Sequence, residues 1–300
     1  MTEGYLDFRG HRTWYQVTGD LRAARAPAVI CHGGPGATSD YVTPIAGLAG
    51  DGRATVLYDQ LGNGRSDHLP GADPAFWTIQ LFKDELVALT EFLGIAARYH
   101  VVGQSWGGML AMEHALTHPV GLRSIVVANS PASIPLWVAE ANRLRAGLPP
   151  DVQATLRHHE ETGTTGDPAY EQACLAFYER HVCRVVPFPD FVQRSFTAMA
   201  EDPTVYGTMN GPSEFHVIGT IKDWDITGRL AEIDVPTLLV SGRYDEATPT
   251  IVGSMKERIP GSEWALFEES SHMPHVEETQ RFLDVVGDFL RRHDQLPSLP

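Results

Sequence analysis

The stretch YHVVGQSWGGML, residues 99–110, decides the fold because one tight turn in it joins an apolar run to a helical pattern. The run Tyr99–Val102 has the composition of a buried strand, and the helical pattern continues over Met109–Leu116. Between them lies GQSWG, residues 103–107, whose glycines permit a turn too sharp for larger side chains. Such a turn lifts its serine clear of the sheet at the positive end of the following helix. The motif therefore predicts that Ser105 is a nucleophile.

Strand-like runs and helical patterns alternate on both sides of this motif. The further strand-like runs are Ala28–Cys31, Ala54–Tyr58, Ser124–Ala128, Thr237–Ser241 and Trp264–Phe267, and the longer helical patterns are Phe76–Leu93 and Glu278–Arg291. Strands separated by helices imply an α/β fold with a mostly parallel central sheet flanked by helices on both faces.

One long segment interrupts this alternation. From about Pro131 to Gly228 the strand signal disappears, and helical pieces such as Val138–Arg145 and Tyr170–His181 replace it. We therefore expect residues 1–130 and 229–300 to form the core domain and residues 131–228 to form an inserted helical cap domain.

Composition and charge exclude several kinds of partner. The chain has 38 acidic and 23 basic residues, a net charge of -15, and no Lys/Arg-rich run, so neither nucleic acid nor anionic lipid is expected to bind. No apolar run approaches the roughly 18 residues of a membrane span. Residues 1–7 lack a secretory pattern, so the expected compartment is the cytoplasm. Cys31, Cys174 and Cys183 form no C-x-x-C pair, which argues against both a disulfide framework and a zinc site.

A nucleophilic serine needs a base, and a downstream acid and histidine meet that need. Asp245 follows the strand-like run at residues 237–241, and His272 follows the run that ends at Phe267. Serine, acid and histidine in this order are typical of the α/β-hydrolase fold. We therefore predict that His272 removes the proton of Ser105 and that Asp245 orients His272. His275 is the competing base.

The motif HGGPG, residues 32–36, directly follows the first strand-like run. Successive glycines allow backbone N–H groups to face a developing oxyanion, and we expect the donors to be the N–H groups of Gly34 and Trp106. The alternative is a glycine-rich turn without a ligand. A phosphate-binding loop is excluded because no G-K-[ST] follows.

Several motifs together resemble the proline iminopeptidase family of α/β-hydrolases, over most of the chain. They are HGGPG at 32–36, DQLGNGRS at 59–66, GQSWGG at 103–108, MNGPSEF at 209–215 and GRYD at 242–245. The resemblance implies release of an N-terminal residue, often proline, from short peptides, amides or arylamides, with no metal or other cofactor. Leu61 departs from the family pattern, because the family often has arginine at this position. The difference affects either the mouth of the site or only the packing of the loop.

The same resemblance implies that Glu214 and Glu246 bind the free α-amino group of a small-molecule or short-peptide substrate. Two carboxylates that face a partly dry pocket repel each other and are stabilised when a cation arrives between them. Trp137, Tyr206 and Phe215 are candidates for the pocket of the substrate side chain or, as is more usual for aromatic residues, for the core of the cap.

Three alternatives stay open at this point. Some relatives remove an aminoacyl group from a larger biosynthetic amine. An esterase or lactonase of the same fold would ignore the amine. A non-catalytic binding module would share the fold without the chemistry, although its mark would be an incomplete set of catalytic residues.

Overall fold

The computed structural model describes residues 1–294, and within this range eight strands form one sheet. In chain order the strands are β1 (Thr2–Phe8), β2 (His11–Thr18), β3 (Ala28–Cys31), β4 (Thr55–Tyr58), β5 (Tyr99–Gln104), β6 (Leu122–Ala128), β7 (Thr237–Gly242) and β8 (Glu263–Phe267). Across the sheet the order is β1-β2-β4-β3-β5-β6-β7-β8. Strand β2 pairs antiparallel with β1 and β4, whereas the other neighbours are parallel.

Helices cover the sheet and extend one of its connections. They are α1 (Ile79–Phe92), α2 (Trp106–Ala115), α3 (Ile134–Arg145), α4 (Pro150–Thr162), α5 (Pro168–His181), α6 (Asp190–Glu201), α7 (Thr204–Met209), α8 (Pro249–Lys256), α9 (Pro274–Glu277) and α10 (Thr279–Arg292). Shorter 3₁₀ helices cover Ser39–Asp51, Pro74–Phe76 and Thr227–Glu232. No helix within residues 1–294 is long and apolar enough to cross a membrane.

The hydrophobic core has two faces because side chains of a strand alternate across the sheet. In β3, Val29 and Cys31 join the cluster under α1 and α2, while Ala28 and Ile30 join the cluster under α10. Helix α10 contributes one apolar stripe to the second cluster, formed by Phe282, Val286, Phe289 and Leu290. The mostly parallel sheet flanked by helices is therefore confirmed.

Several bounds differ from the sequence prediction, among them the starts of α2 and α3, and two differences have a clear cause. The β1–β2 hairpin was not predicted, and its exposed positions explain the weak apolar signal in β1. The helix expected from Phe76 begins at Ile79, because Pro74–Phe76 forms a separate 3₁₀ turn and the Thr78 side chain accepts a hydrogen bond from the Leu81 N–H.

Helices α3 to α7 lie between β6 and β7 in the chain and have a small apolar cluster of their own. Its members come from α3, α4 and α5 and the segment after α7: Ala141, Leu148, Leu156, Tyr170, Ala173, Cys174, Phe177 and Phe215. Helix α6 rests against the 3₁₀ helix Ser39–Asp51, and Val192 of α6 is buried in the second core cluster. The Thr38 N–H donates to the Ser195 hydroxyl over 3.1 Å, which joins α6 to the loop before that 3₁₀ helix.

Candidate active site

The carboxyl ends of the central parallel strands carry the residues singled out by the sequence. The loop at residues 32–36 follows β3, Ser105 follows β5, Asp245 follows β7 and His272 follows β8. In open α/β sheets ligands bind outside this edge. The topology therefore brings Ser105, Asp245 and His272 together from distant parts of the chain.

Ser105 occupies a strained turn that glycines on both sides make possible. Its backbone has φ 56° and ψ -124°, a conformation that non-glycine residues rarely adopt. A Cβ on Gly103 would lie 2.0 Å from the Gly107 carbonyl oxygen, and a Cβ on Gly107 would lie 2.1 Å from the Cys31 carbonyl oxygen. The turn thus packs backbone against backbone and directs the Ser105 side chain toward the edge of the sheet.

His272 and Asp245 form a directed pair. The His272 Nδ1–H donates to Asp245 Oδ1 over 2.8 Å, which leaves Nε2 as the nitrogen free to accept a proton. Asp245 is 1% exposed and also accepts hydrogen bonds from Asn129 Nδ2 at 2.6 Å, the Ala247 N–H at 2.8 Å and the Gly242 N–H at 3.3 Å. The carboxylate is therefore held by protein donors on both oxygens.

Ser105 and His272 line the same cavity, although no hydrogen bond joins Ser105 Oγ to His272 within the described residues. Contacts between a nucleophile and its base often tighten only when substrate binds. His275 is not placed to compete, because its Nε2–H donates to the Tyr41 carbonyl over 3.1 Å and burial lowers its pKa to about 3.

Gly34 and Trp106 border the cavities next to Ser105. Within residues 1–294 neither the Gly34 N–H nor the Trp106 N–H donates to a backbone carbonyl. Gly34 has φ 111°, and a Cβ there would lie 2.4 Å from the Gly36 nitrogen, so the turn requires glycine. Both N–H groups are thus available to an oxyanion on the Ser105 side of the loop.

Glu246 is a buried acid whose carboxylate has no hydrogen-bond donor in the described part of the chain. It is 1% exposed, lines the cavity with Ser105, and forms no hydrogen bond through either carboxylate oxygen. Burial raises its pKa well above the ordinary range, and the charges of Glu214 and Asp245 add to this rise. Its Oε1 lies 3.7 Å from His272 Nε2.

Glu214 faces the same cavity from the segment after α7. Its Oε1 accepts a hydrogen bond from the Tyr206 hydroxyl over 2.7 Å, and desolvation raises its pKa despite that bond. The structure therefore brings Glu214 and Glu246 to one cavity as two acids that both favour protonation until a cation is near.

The three aromatic candidates have different surroundings. The Trp137 indole N–H donates to the Glu214 carbonyl over 2.7 Å, and its ring centroid lies 5.8 Å from that of His272. Tyr206 lines neither cavity, contrary to the pocket prediction, because its hydroxyl is engaged by Glu214, which does line them. Phe215 lines neither cavity, so the pocket prediction is wrong for this residue: it is 1% exposed, and its ring is buried against Phe177 in the apolar cluster of the inserted helices.

Two cavities in the described structure share Gly34, Ser105 and Glu214. The first lies next to His272 and is lined largely by the side chains of Tyr178, Val182, Val192, Phe196, Met199 and Met273. The second is lined, besides the shared residues, by Trp106, Met109, Ile134, Trp137, Asn210 and Ile221. Leu61 lines neither cavity and is buried in the core, so its departure from the family pattern concerns packing.

Sequence reasoning missed three polar residues at this site. Asn129 directly follows β6 with φ 54° and donates to Asp245, so its position after a buried strand is the signal that could have found it. Gln104 precedes the nucleophile within the recognised motif. Tyr41 belongs to the 3₁₀ helix after the glycine-rich loop, where no motif marks it.

The comparisons with known proteins agree with this geometry. The model of the alpha/beta hydrolase fold family matches residues 27–279, so the chain belongs to the class that its sheet and Ser105 turn define. A proline iminopeptidase of Heyndrickxia coagulans is 37% identical over 289 residues, covering 96% of this chain and 98% of the relative. One of Saccharolobus solfataricus is 37% identical over 297 residues, covering 99% and 94%. The chain belongs to the proline iminopeptidase family.

A solved structure supports the same assignment, and a second one is similar over nearly the whole chain. The structure of proline iminopeptidase from Mycobacterium smegmatis has a TM-score of 0.90 and 47% identity, covering 98% of this chain and 99% of that one. The structure of VinJ has a TM-score of 0.95 and 51% identity, covering 97% and 99%.

Proposed function

We propose that the protein is a serine aminopeptidase that releases an N-terminal proline or small apolar residue from substrates with a free α-amino group. The observation that carries the proposal is the carboxylate of Glu246, which accepts no hydrogen bond within residues 1–294 and is buried in the cavity that Ser105 and His272 also line. A substrate ammonium would supply the hydrogen-bond donor that Glu246 lacks among the described residues, and the membership of the proline iminopeptidase family supports this substrate class.

In the proposed mechanism, His272 Nε2 takes the proton of Ser105 Oγ as the oxygen attacks the substrate carbonyl. The N–H groups of Gly34 and Trp106 stabilise the oxyanion, and Asp245 stabilises the imidazolium. His272 then gives its proton to the departing amine, which leaves an acyl-enzyme. Water repeats the sequence, with His272 again as base, and frees the amino acid and Ser105.

Glu214 and Glu246 select the amine in this scheme. An ammonium between two carboxylates removes their mutual repulsion and favours the charged form of each, so Glu246 loses its proton as the cation binds. Selection of this kind favours carbonyls that lie one carbon from a free amine, and it disfavours N-acylated or simple ester substrates.

The first cavity favours a second candidate within the same chemistry, removal of an aminoacyl group from a larger apolar amine. His272 protonates the leaving amine, so the leaving group departs on the His272 side, where Val182, Val192, Phe196 and Met273 form the wall. The described lining of this cavity has no lysine or arginine to pair with the carboxylate of a free dipeptide. An uncharged apolar leaving group fits such a wall better.

We further propose that residues 131–228 act as a cap over a core of residues 1–130 and 229–300. Support comes from Trp137, Val182, Phe196 and Glu214, which reach the cavities from the inserted segment. We also propose the cytoplasm as the working compartment, because Cys31, Cys174 and Cys183 are buried free thiols and such thiols persist in a reducing environment.

Hydrolysis of paired substrates tests the proposal. We expect the p-nitroanilides of proline and alanine to be cleaved at least about 100-fold faster than their N-acetylated forms, since a buried carboxylate loses its cation in the latter. Equal rates would reject recognition of the amine. Ser105→Ala should lose on the order of 10⁶-fold in kcat, and retention of more than about 5% would reject the nucleophile.

The second candidate needs its own pair of substrates. Alanyl-alanine and alanine hexylamide share the aminoacyl group and differ in the charge and polarity of the leaving amine. Faster cleavage of the hexylamide supports the apolar leaving group, whereas faster cleavage of the dipeptide rejects it and leaves the aminopeptidase assignment intact.

A further inference from the structure

Tyr41 and Gln104 form a buried hydrogen-bonded chain between three catalytic loops, and we infer that both are positioning residues for the reaction. The chain begins at Gly33 in the glycine-rich loop and ends at the backbone of His272. Neither side chain belongs to the proposed set of nucleophile, base and acid. The inference rests on the proposed function, because it concerns the geometry of the proposed reacting groups.

Each link of the chain has a defined direction. The Gly33 N–H donates to the Tyr41 hydroxyl oxygen over 2.7 Å, and the Tyr41 O–H donates to Gln104 Oε1. The Gln104 side-chain amide then donates from Nε2 to the His272 carbonyl over 2.9 Å. Tyr41 is 4% exposed and Gln104 is fully buried, so water does not replace these bonds cheaply.

Close packing at Gly33 makes the chain sensitive to position. A Cβ on Gly33 would lie 2.6 Å from the Tyr41 hydroxyl and 2.8 Å from the Ser105 Cβ, so the loop passes directly between the two. The Tyr41 backbone is fixed as well, because its carbonyl accepts a hydrogen bond from His275 Nε2 over 3.1 Å. Tyr41 therefore touches the oxyanion loop, the nucleophile strand and the turn after His272.

The chain also determines which amide faces the substrate. Because the Gly33 N–H is engaged by Tyr41, the next N–H, that of Gly34, is the one left for the oxyanion. Loss of the Tyr41 hydroxyl leaves the Gly33 N–H and Gln104 Oε1 unpaired, and the loops lose the connection that sets their spacing. A displacement of about 1 Å among reacting groups is enough to cost roughly 100-fold in rate.

Tyr41→Phe, Gln104→Leu and the double variant test this inference. We expect each single variant to lower kcat on alanine p-nitroanilide by about 10- to 100-fold with KM within about twofold of wild type. The double variant should be about as slow as the slower single variant, because either substitution breaks the same chain. Labelling of Ser105 by a fluorophosphonate should slow in parallel, which reports on the nucleophile even if recognition of the amine fails.

Tyr99→Phe is the matched control, since Tyr99 is also buried and its hydroxyl bonds to His114 Nε2 over 2.6 Å, away from the cavities. It should lose comparable thermal stability and keep kcat within about twofold. Gln104→Glu keeps an acceptor for Tyr41 and loses the donor to the His272 carbonyl, so it should be slowed about as much as Gln104→Leu and replaces that variant if Gln104→Leu folds poorly. The inference is overturned if Tyr41→Phe keeps kcat, if Tyr99→Phe loses as much, or if the two single losses multiply in the double variant.

Discussion

Asp245 and Glu246 are neighbours in the chain, equally buried at 1% exposure, and their surroundings are opposite. Asp245 accepts hydrogen bonds from His272, Asn129 and two backbone N–H groups. Glu246 accepts none within the described chain, and Glu214 and Asp245 face it as like charges. The folded protein thus supplies hydrogen-bond donors to the Asp245 carboxylate and supplies none, in its described part, to the Glu246 carboxylate.

The difference distinguishes a carboxylate that the protein itself stabilises from a carboxylate that a bound ligand would have to stabilise. A carboxylate with several donors is stable as an anion and can act on His272 whatever the substrate. A buried carboxylate without donors has a high free energy as an anion, so it stays protonated unless a cation binds next to it. In the proposed mechanism, Asp245 therefore serves the chemistry shared by many hydrolases, whereas Glu246 serves the selection of the substrate.

Asp245→Asn gives the largest expected effect on this contrast. The amide cannot hold His272 in the tautomer that leaves Nε2 free, so kcat should fall on the order of 10⁴-fold. The loss should be equal for alanine p-nitroanilide and for its N-acetylated form, measured as initial rates. A loss confined to the free amine would assign Asp245 to recognition and end the contrast.

Glu246→Gln should have a smaller and selective effect. Because the amide cannot neutralise an ammonium, kcat/KM for the free amine should fall about 100-fold. The N-acetylated substrate should change less than about threefold, since it has no cation to lose. Equal losses on both substrates would show that Glu246 acts on His272, its neighbour at 3.7 Å, and not on the amine.

Asn129→Gly tests how much one of the hydrogen bonds to Asp245 contributes to turnover. It removes the donor to Asp245 Oδ2 while glycine tolerates the φ of 54° at this position. We expect kcat to fall about 10-fold on both substrates, the value of one hydrogen bond to a charged group. Unchanged kcat would mean that the remaining donors suffice to hold Asp245.

Glu85→Gln should have the smallest effect on turnover, because this buried acid lies outside both cavities. Glu85 accepts from Thr13 and Leu61 through one oxygen, and its other oxygen is unpaired within the described residues. Burial raises its pKa from 4.5 to about 8. Glu85 is thus a buried carboxyl group that lacks a donor on one oxygen, as Glu246 does on both, but no ligand can reach it. Protonation stabilises it instead.

The raised pKa fixes the sign of the stability change. The folded protein keeps a proton that the unfolded chain releases, so this contribution to stability is complete below pH 4.5 and is lost as the pH rises through about 8. Relative to wild type, Glu85→Gln should gain up to about 1.4 kcal/mol in unfolding free energy per pH unit across that range. Urea titrations at several pH values measure it, and a constant difference would contradict the shifted pKa.

Sequence reasoning reached the sheet and the Ser105 turn because both leave local signals, whereas Glu214 and Glu246 were expected at the site only because the motifs resemble those of a known family. Buried strands read as apolar runs, and the Ser105 turn needs glycine on each side for backbone contacts that the structure shows at Gly103 and Gly107. The position of Asn129 after a buried strand marks it as a candidate, but its partner and the role of Tyr41 could not be read in this way. The partners of Tyr41 and Asn129 lie 63 and 116 positions away in the chain. A single polar residue gives no sequence signal that identifies the distant group with which it forms a hydrogen bond.

The contact between Thr38 and Ser195 has a consequence for engineering. The inserted helices do not simply sit on the core, because Ser195 accepts the Thr38 N–H and a Cβ on Gly36 would lie 2.7 Å from the Tyr206 nitrogen. Grafting residues 131–228 from a relative to change the range of substrates would also move the loop that carries Gly34. A functional chimera would need to preserve both the Thr38–Ser195 hydrogen bond and the close contact between Gly36 and Tyr206.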